Sequence, residues 1–267
     1  MTWMVTVGGR YARRPALCDF LSEWARDFYT QAEMRGALHD VRKSKTFFAF
    51  HPHGCLSAGW TINGTFNQAF TRRAGRVNWL IDPGLRNKNP TFRMLCDAYR
   101  REDRAIEAGD RQGFQEIMSR GESVALIPGG FQDAVVAQFG KDSCVVRKRK
   151  GFVKYCLHYG YRLHPVYTFG ECETYHTFTG FRGLRIRISE RNIPMVAFFG
   201  WPLCPLLPRP ESRILTYVGP GIDLPHIASP TQEEVDHWHG VYLSALEKLF
   251  EDNKADAGYP QASLEIL

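Results

Sequence analysis

The chain has 267 residues, 44% of them hydrophobic, enough to bury one sizeable core. Lys and Arg total 34 against 28 Asp and Glu, and the resulting +6 suits an anionic small molecule or a membrane surface at least as well as a nucleic acid. The seven cysteines are widely spaced, odd in number and free of any C-x-x-C pair, which indicates neither a disulfide framework nor a zinc ribbon and fits a reducing compartment.

The first 17 residues, MTWMVTVGGRYARRPAL, lack the continuous apolar region of a secretory signal. Residues 16–40 read as an amphipathic helix. TFFAF (46–50) follows as a strand too uniformly apolar to be half-exposed, so an interior strand covered on both faces is expected. VNWLI (77–81), SVALI (123–127), LHPVYTF (163–169) and RILTYVG (213–219) read as further strands. Helical stretches lie between them at 89–102, 110–121 and 149–160. A final helix at 231–252 is opened by Thr231 with Glu234 three positions on, the pattern of a capping box. Strands alternating with helices of this length predict a single α/β domain with a largely parallel central sheet flanked by helices. No window of 18 apolar residues occurs, which argues against a spanning helix. MVAFFGWPLCPLLP (195–208) comes nearest, and its three prolines preclude a regular helix; an interfacial or pocket-lining segment or a buried loop fits equally.

In open α/β sheets ligands sit outside the carboxyl ends of the strands, and three of these strands release unusual residues there. FFAF releases His51, Pro52, His53 and Gly54; VALI releases Pro128, Gly129 and Gly130; PVYTF releases Gly170 and Glu171. A lone histidine is more often structural, and Pro-Gly-Gly is usually a turn. A base candidate, a glycine loop and a carboxylate on one rim are together site-like, since consecutive glycines let backbone N–H groups approach a phosphate or oxyanion.

With FHPHG, IPGGFQDA, RKGFVKYCLHYGYRLHPVYTFGECETY and HGVYLSALEKLFEDNKADAGYP in this order, the chain resembles the type 2 diacylglycerol acyltransferase family, which includes monoacylglycerol and wax-ester acyltransferases. The resemblance covers residues 46–267, the expected catalytic domain, and leaves 1–45 as an N-terminal helical extension. It implies a glycerolipid-acyltransferase-like fold and transfer of a fatty acyl group from acyl-CoA, as co-substrate and with no cofactor, to an acylglycerol hydroxyl. It also implies work at the cytosolic face of the endoplasmic reticulum membrane or at a lipid-droplet surface, with no nucleic-acid partner and homo-oligomerisation left open.

The chain departs from the family and its wider kin in three ways. Leu56 and Ala58 stand where an H-x-x-x-x-D motif would place its aspartate, so an orienting carboxylate would come from Asp133 or Glu171. The acidic position after Pro-Gly-Gly holds Asp133 where the family usually has glutamate. Family members carry a hydrophobic hairpin before the catalytic region, and the 50 residues ahead of His51 do not show it, so it is either lost or lies upstream of this sequence.

An alcohol is a poor nucleophile at neutral pH, so a base must take its proton as it attacks the thioester. His51 and His53 are the expected pair, one as base and the other holding geometry, with no choice between them from sequence. Backbone amides of Gly54, Gly129 and Gly130 are the expected oxyanion donors, and Arg147, Lys148, Arg149 and Lys150 the expected partners of the CoA phosphates. Cys55 reads as a small buried residue and not as an acyl acceptor. Two rivals come from other classes: a metal-dependent hydrolase using His51 and His53 as ligands, and a non-catalytic lipid-binding protein on a decayed acyltransferase fold. No G-x-S-x-G occurs, which disfavours a serine hydrolase.

Overall fold

The structure, a computed structural model, describes residues 15–189 and 196–267. Residues 1–14 of the N-terminal stretch read for a signal, Arg191 and Met195 lie outside the described residues, as do the side chains of Cys18 and Arg182.

In chain order the elements are α1 (Pro15–Asp27), β1 (Gln31–Gly36), β2 (Thr46–His51), α2 (Gln68–Ala74), β3 (Val77–Ile81), α3 (Pro83–Lys88), α4 (Pro90–Ala98), β4 (Arg104–Ala108), α5 (Arg111–Ser119), β5 (Ser123–Leu126) and α6 (Gly130–Val136). There follow β6 (Asp142–Cys144), α7 (Gly151–Tyr159), β7 (Arg162–Phe169), β8 (His176–Thr177), α8 (Arg182–Ser189), β9 (Phe198–Phe199), β10 (Arg213–Val218), β11 (Ile222–Asp223), α9 (Gln232–Asn253) and β12 (Leu264–Ile266). The main sheet runs β1-β10-β7-β2-β5-β3-β4, with β11 beside β7. From β7 to β4 every pairing along that order is parallel, and β10, its parallel partner β1 and the short β11 run the other way. The expected α/β architecture is the observed one, with differences at both edges: β4, which was not among the expected strands, closes one edge beside β3. The helix expected over 16–40 stops at Asp27, and Gln31–Gly36 lies along β10 as an edge strand because Ala32 has core to cover there.

β2 explains why the sheet is covered on both sides. Every residue from Thr46 to His51 is buried. Successive side chains point to opposite faces, so Phe47 and Ala49 enter the larger core under α5, α7 and α9, while Phe48 and Phe50 enter a second core with Phe70 and Trp79. The closing helix α9 is fixed at its start by the predicted capping box: Thr231 accepts from the Glu234 amide and Glu234 from the Thr231 amide. Its buried stripe reads Val235, His239, Tyr242, Leu246, Leu249 and Phe250, the spacing of one helical face, and two of these six side chains are polar.

Register aligns the strand ends. His51 pairs with Tyr167 and Ala49 with Leu126, so β2, β5 and β7 discharge their loops on one rim.

Candidate active site

At that rim the two histidines occupy different environments. His51, the last residue of β2, is fully buried, and its Nε2 lies 2.7 Å from the Tyr242 hydroxyl on α9. Its Nδ1 is buried without a hydrogen-bond partner among the described residues. Burial alone pushes its pKa down to about 3, so the ring is neutral. Pro52 is also buried, and the chain then turns outward, leaving His53 half-exposed. The His53 Nδ1 sits 3.1 Å from the Gly54 carbonyl oxygen. A carbonyl only accepts, so Nδ1 carries the proton and the lone pair of the neutral ring is on Nε2. Burial lowers the His53 pKa as well, more than its backbone hydrogen bonds raise it.

Two buried carboxylates hold this turn, and neither receives a hydrogen bond from a histidine ring. Asp133, in the first turn of α6, accepts the His53 backbone N–H at 3.3 Å and the Val145 N–H. Burial raises its pKa to about 6 against the opposing pull of those two amides and of Arg149. Glu171, just past the end of β7, accepts the Ala58 amide at 2.9 Å and the Gly59 amide at 2.6 Å. These open the π-helical turn Gly59–Thr65 that follows the histidines. Burial lifts the Glu171 pKa to about 7. An H-x-x-x-x-D aspartate would have stood at 56 or 58; the carboxylate here arrives from another strand and binds the backbone of Ala58 instead.

Gly54 lies directly on Glu171. A Cβ at Gly54 would sit 2.6 Å from Glu171 Oε1, and φ is +56°, so only glycine fits both the turn and the close approach. Gly129, at an ordinary φ of −72°, makes only the close approach, over the Asp133 carboxyl group. Of the three expected oxyanion donors, Gly130 is a correction: its N–H is already spent on the Ile127 carbonyl at 3.1 Å, closing the turn after Pro128. The amides of Gly54 and Gly129 have no such partner among the described residues.

The basic run divides similarly. Arg147 donates to the Ile266 carbonyl beside β12, and Lys150 pairs with Asp236 on α9 at 2.7 Å. Lys148 and Arg149 make no side-chain hydrogen bond among the described residues and line a cavity of about 230 Å³ with Gln132, Val145 and Leu267. Gln132 and Val145 flank Asp133 in sequence and in hydrogen bonding, so the cavity adjoins the histidine turn.

Cys55 is buried beside Glu171, and its thiol is pushed up to about 12, which keeps it protonated at neutral pH. His239 lies 3.1 Å from the Val146 carbonyl and His164 2.9 Å from the Gly219 carbonyl, and each ring donates to backbone there. Tyr242 was not expected in the site. The only signal for it was a polar residue on the apolar face of a helix within HGVY.

No group of three or more His, Cys, Asp and Glu residues among those described is arranged to hold a metal, which removes the support for the metal-hydrolase alternative. A family model described as diacylglycerol acyltransferase matches residues 8–266. The chain belongs to the diacylglycerol acyltransferase family and is an acyltransferase. It is similar to diacylglycerol O-acyltransferase 2 of Dictyostelium discoideum, 30% identical over 88% of this chain and 74% of the relative. The human protein of that name is 26% identical over 98% of this chain and 71% of its own length. Human 2-acylglycerol O-acyltransferase 3 is 30% identical over 91% of this chain and 76% of the relative.

Proposed function

We propose that this acyltransferase passes a fatty acyl group from acyl-CoA to the hydroxyl of diacylglycerol, forming triacylglycerol, with His53 as general base. The observation that carries the assignment is the Nδ1 contact of His53 with the Gly54 carbonyl, which leaves Nε2 as a free lone pair on a half-exposed, neutral ring. His51 is too deeply buried for that role and holds the turn.

In this mechanism Nε2 takes the acceptor's hydroxyl proton as its oxygen bonds to the thioester carbon. The tetrahedral oxyanion is met by the Gly54 and Gly129 amides, each worth about 3 kcal/mol when well placed. Collapse breaks the C–S bond, and the CoA thiolate takes the proton from the His53 imidazolium. No covalent acyl-enzyme is involved, in keeping with the high Cys55 pKa. Lys148 and Arg149 meet the CoA phosphates at the adjoining cavity. The fold reading is that of a glycerolipid acyltransferase whose orienting aspartate is replaced by Asp133 and Glu171, both acting on backbone.

The relative named 2-acylglycerol O-acyltransferase favours monoacylglycerol as a second acceptor, with a long-chain alcohol as the third. Labelled acyl-CoA offered to the purified protein with each acceptor separates them: triacylglycerol is the expected product, and the absence of any acylated acceptor would overturn the reading.

Such acceptors reside in lipid, and no helix among the described residues is long and apolar enough to cross a membrane. We assign contact with a membrane or lipid-droplet surface to the segment around β8 and β9, where Phe199, Leu203 and Leu206 stand 54%, 81% and 74% exposed. We propose the cytosolic face of the endoplasmic reticulum or the lipid-droplet surface as its place of work, and exposed apolar side chains of this kind suit shallow insertion there. Trp201 packs edge-on against Phe28 and Phe198 against Tyr175, so these rings are braces. Arg185 is buried and does not face lipid headgroups, whereas Arg187 is exposed.

A further inference from the structure

The Tyr242–His51 hydrogen bond joins residues 191 positions apart. α9 is also held by Val235, Leu246, Leu249 and Phe250 in the larger core. A polar pair buried there costs more than two apolar side chains would, so its retention calls for a reason other than packing. Both rings are held in orientation. Tyr242 stands edge-on to Phe152 at 5.1 Å and 78°, and Phe152 stacks on Phe47 at 5.7 Å.

Two arrangements of the proton satisfy the 2.7 Å contact. If His51 Nε2–H donates to the tyrosine oxygen, both the phenolic hydrogen and the Nδ1 lone pair are left buried and unpaired. If the Tyr242 O–H donates to Nε2, the Nδ1–H and the lone pairs of the tyrosine oxygen are left over. The number of unpaired groups is the same, but the phenol carries the more acidic hydrogen and the imidazole nitrogen is the more basic acceptor, so the second arrangement is favoured.

We propose that Tyr242 is a positioning residue of the catalytic turn: its hydroxyl donates to His51 Nε2, holds His51 as the Nδ1–H tautomer and anchors the end of β2 from which Pro52 and His53 project. The inference rests on the proposed catalytic role of that turn. It makes the C-terminal helix part of the site without contact with substrate, and a displaced His53 is how its loss would be felt in the rate.

The test is made on the whole chain labelled with ¹⁵N-histidine. The His51 ring resonances, assigned by their loss in His51→Gln, should show a protonated Nδ1 and an unprotonated Nε2; the opposite tautomer overturns the proposal without any assay. Tyr242→Phe keeps the ring, and should lower kcat on the order of tenfold at unchanged KM for acyl-CoA while His51 becomes a mixture of tautomers. Full kcat in a folded Tyr242→Phe protein overturns it equally. His53→Ala is measured in parallel. If it keeps activity, the catalytic reading of the turn fails and this inference with it; if it is inactive while Tyr242→Phe is unimpaired, this inference alone fails. Should Tyr242→Phe not fold, the wild-type tautomer decides.

Discussion

The rim at the ends of β2, β5 and β7 and the surface around β8 and β9 invert the usual distribution of residues in opposite senses. At the rim, His51, Asp133 and Glu171 are ionisable and at most 2% exposed. Around β9, phenylalanine and leucine side chains face solvent. Buried ionisable groups and clustered exposed apolar ones are each costly, so each marks a place where something other than stability shapes the surface. Their organisation differs too. Each rim carboxylate has partners from elsewhere in the chain, as the Ala58 and Gly59 amides on Glu171 show, whereas the tips of Leu203 and Leu206 rest on little. Chemistry needs a fixed geometry; a lipid surface needs only apolar area. The two regions are joined through Tyr175, which follows the short helical turn carrying Glu171 and donates to the Leu206 carbonyl at 3.0 Å.

Breaking the rim should cost most. His53→Ala removes the general base and should reduce kcat about 10²- to 10⁴-fold, with thermal unfolding little changed because the ring is half-exposed; near-normal turnover would show that the rim is not the site. Asp133→Asn places an NH₂ against the amide of either His53 or Val145. It should lose about 1–3 kcal/mol of stability in denaturant titration and on the order of tenfold in rate.

Glu171 sharpens the contrast through pH. Its carboxyl is protonated below about 7 in the folded chain, against 4.5 for its ordinary value. Between these values the folded state holds the extra proton, so the contribution of Glu171 to stability falls as pH rises from about 4.5 to 7 and is level above. Glu171→Gln should flatten that part of the melting-temperature profile; an unchanged slope would mean that another group carries it.

At the other region the expected effects are smaller and of another kind. Replacing Phe199, Leu203 and Leu206 together with serine should weaken flotation with anionic vesicles about tenfold, at roughly 1 kcal/mol or less for each partly inserted side chain. Melting temperature should not fall. Undiminished vesicle binding would send the search for the lipid contact to another surface. Cys55→Ala should change least, keeping most of the activity, and an acyl group trapped on Cys55 during turnover would refute direct transfer.

What the sequence determined by itself was local. Uniformly apolar TFFAF announced an interior strand, the Thr231–Glu234 spacing a helix start, and the residues after three strands a common rim, because periodicity, capping and strand-end chemistry are properties of short segments. The histidine turn and its glycines were legible for the same reason. Tertiary structure decided whatever depends on partners far along the chain. Gln31–Gly36 became a strand only because β10, 182 positions on, offered it an edge. Asp133 and Glu171 bound backbone amides and not histidine rings, and the Gly130 amide was taken by Ile127, neither of which any spacing encodes. Tyr242 reached His51 only once α9 had packed across β7, since a helical stripe reveals which face is buried and not what lies beneath it.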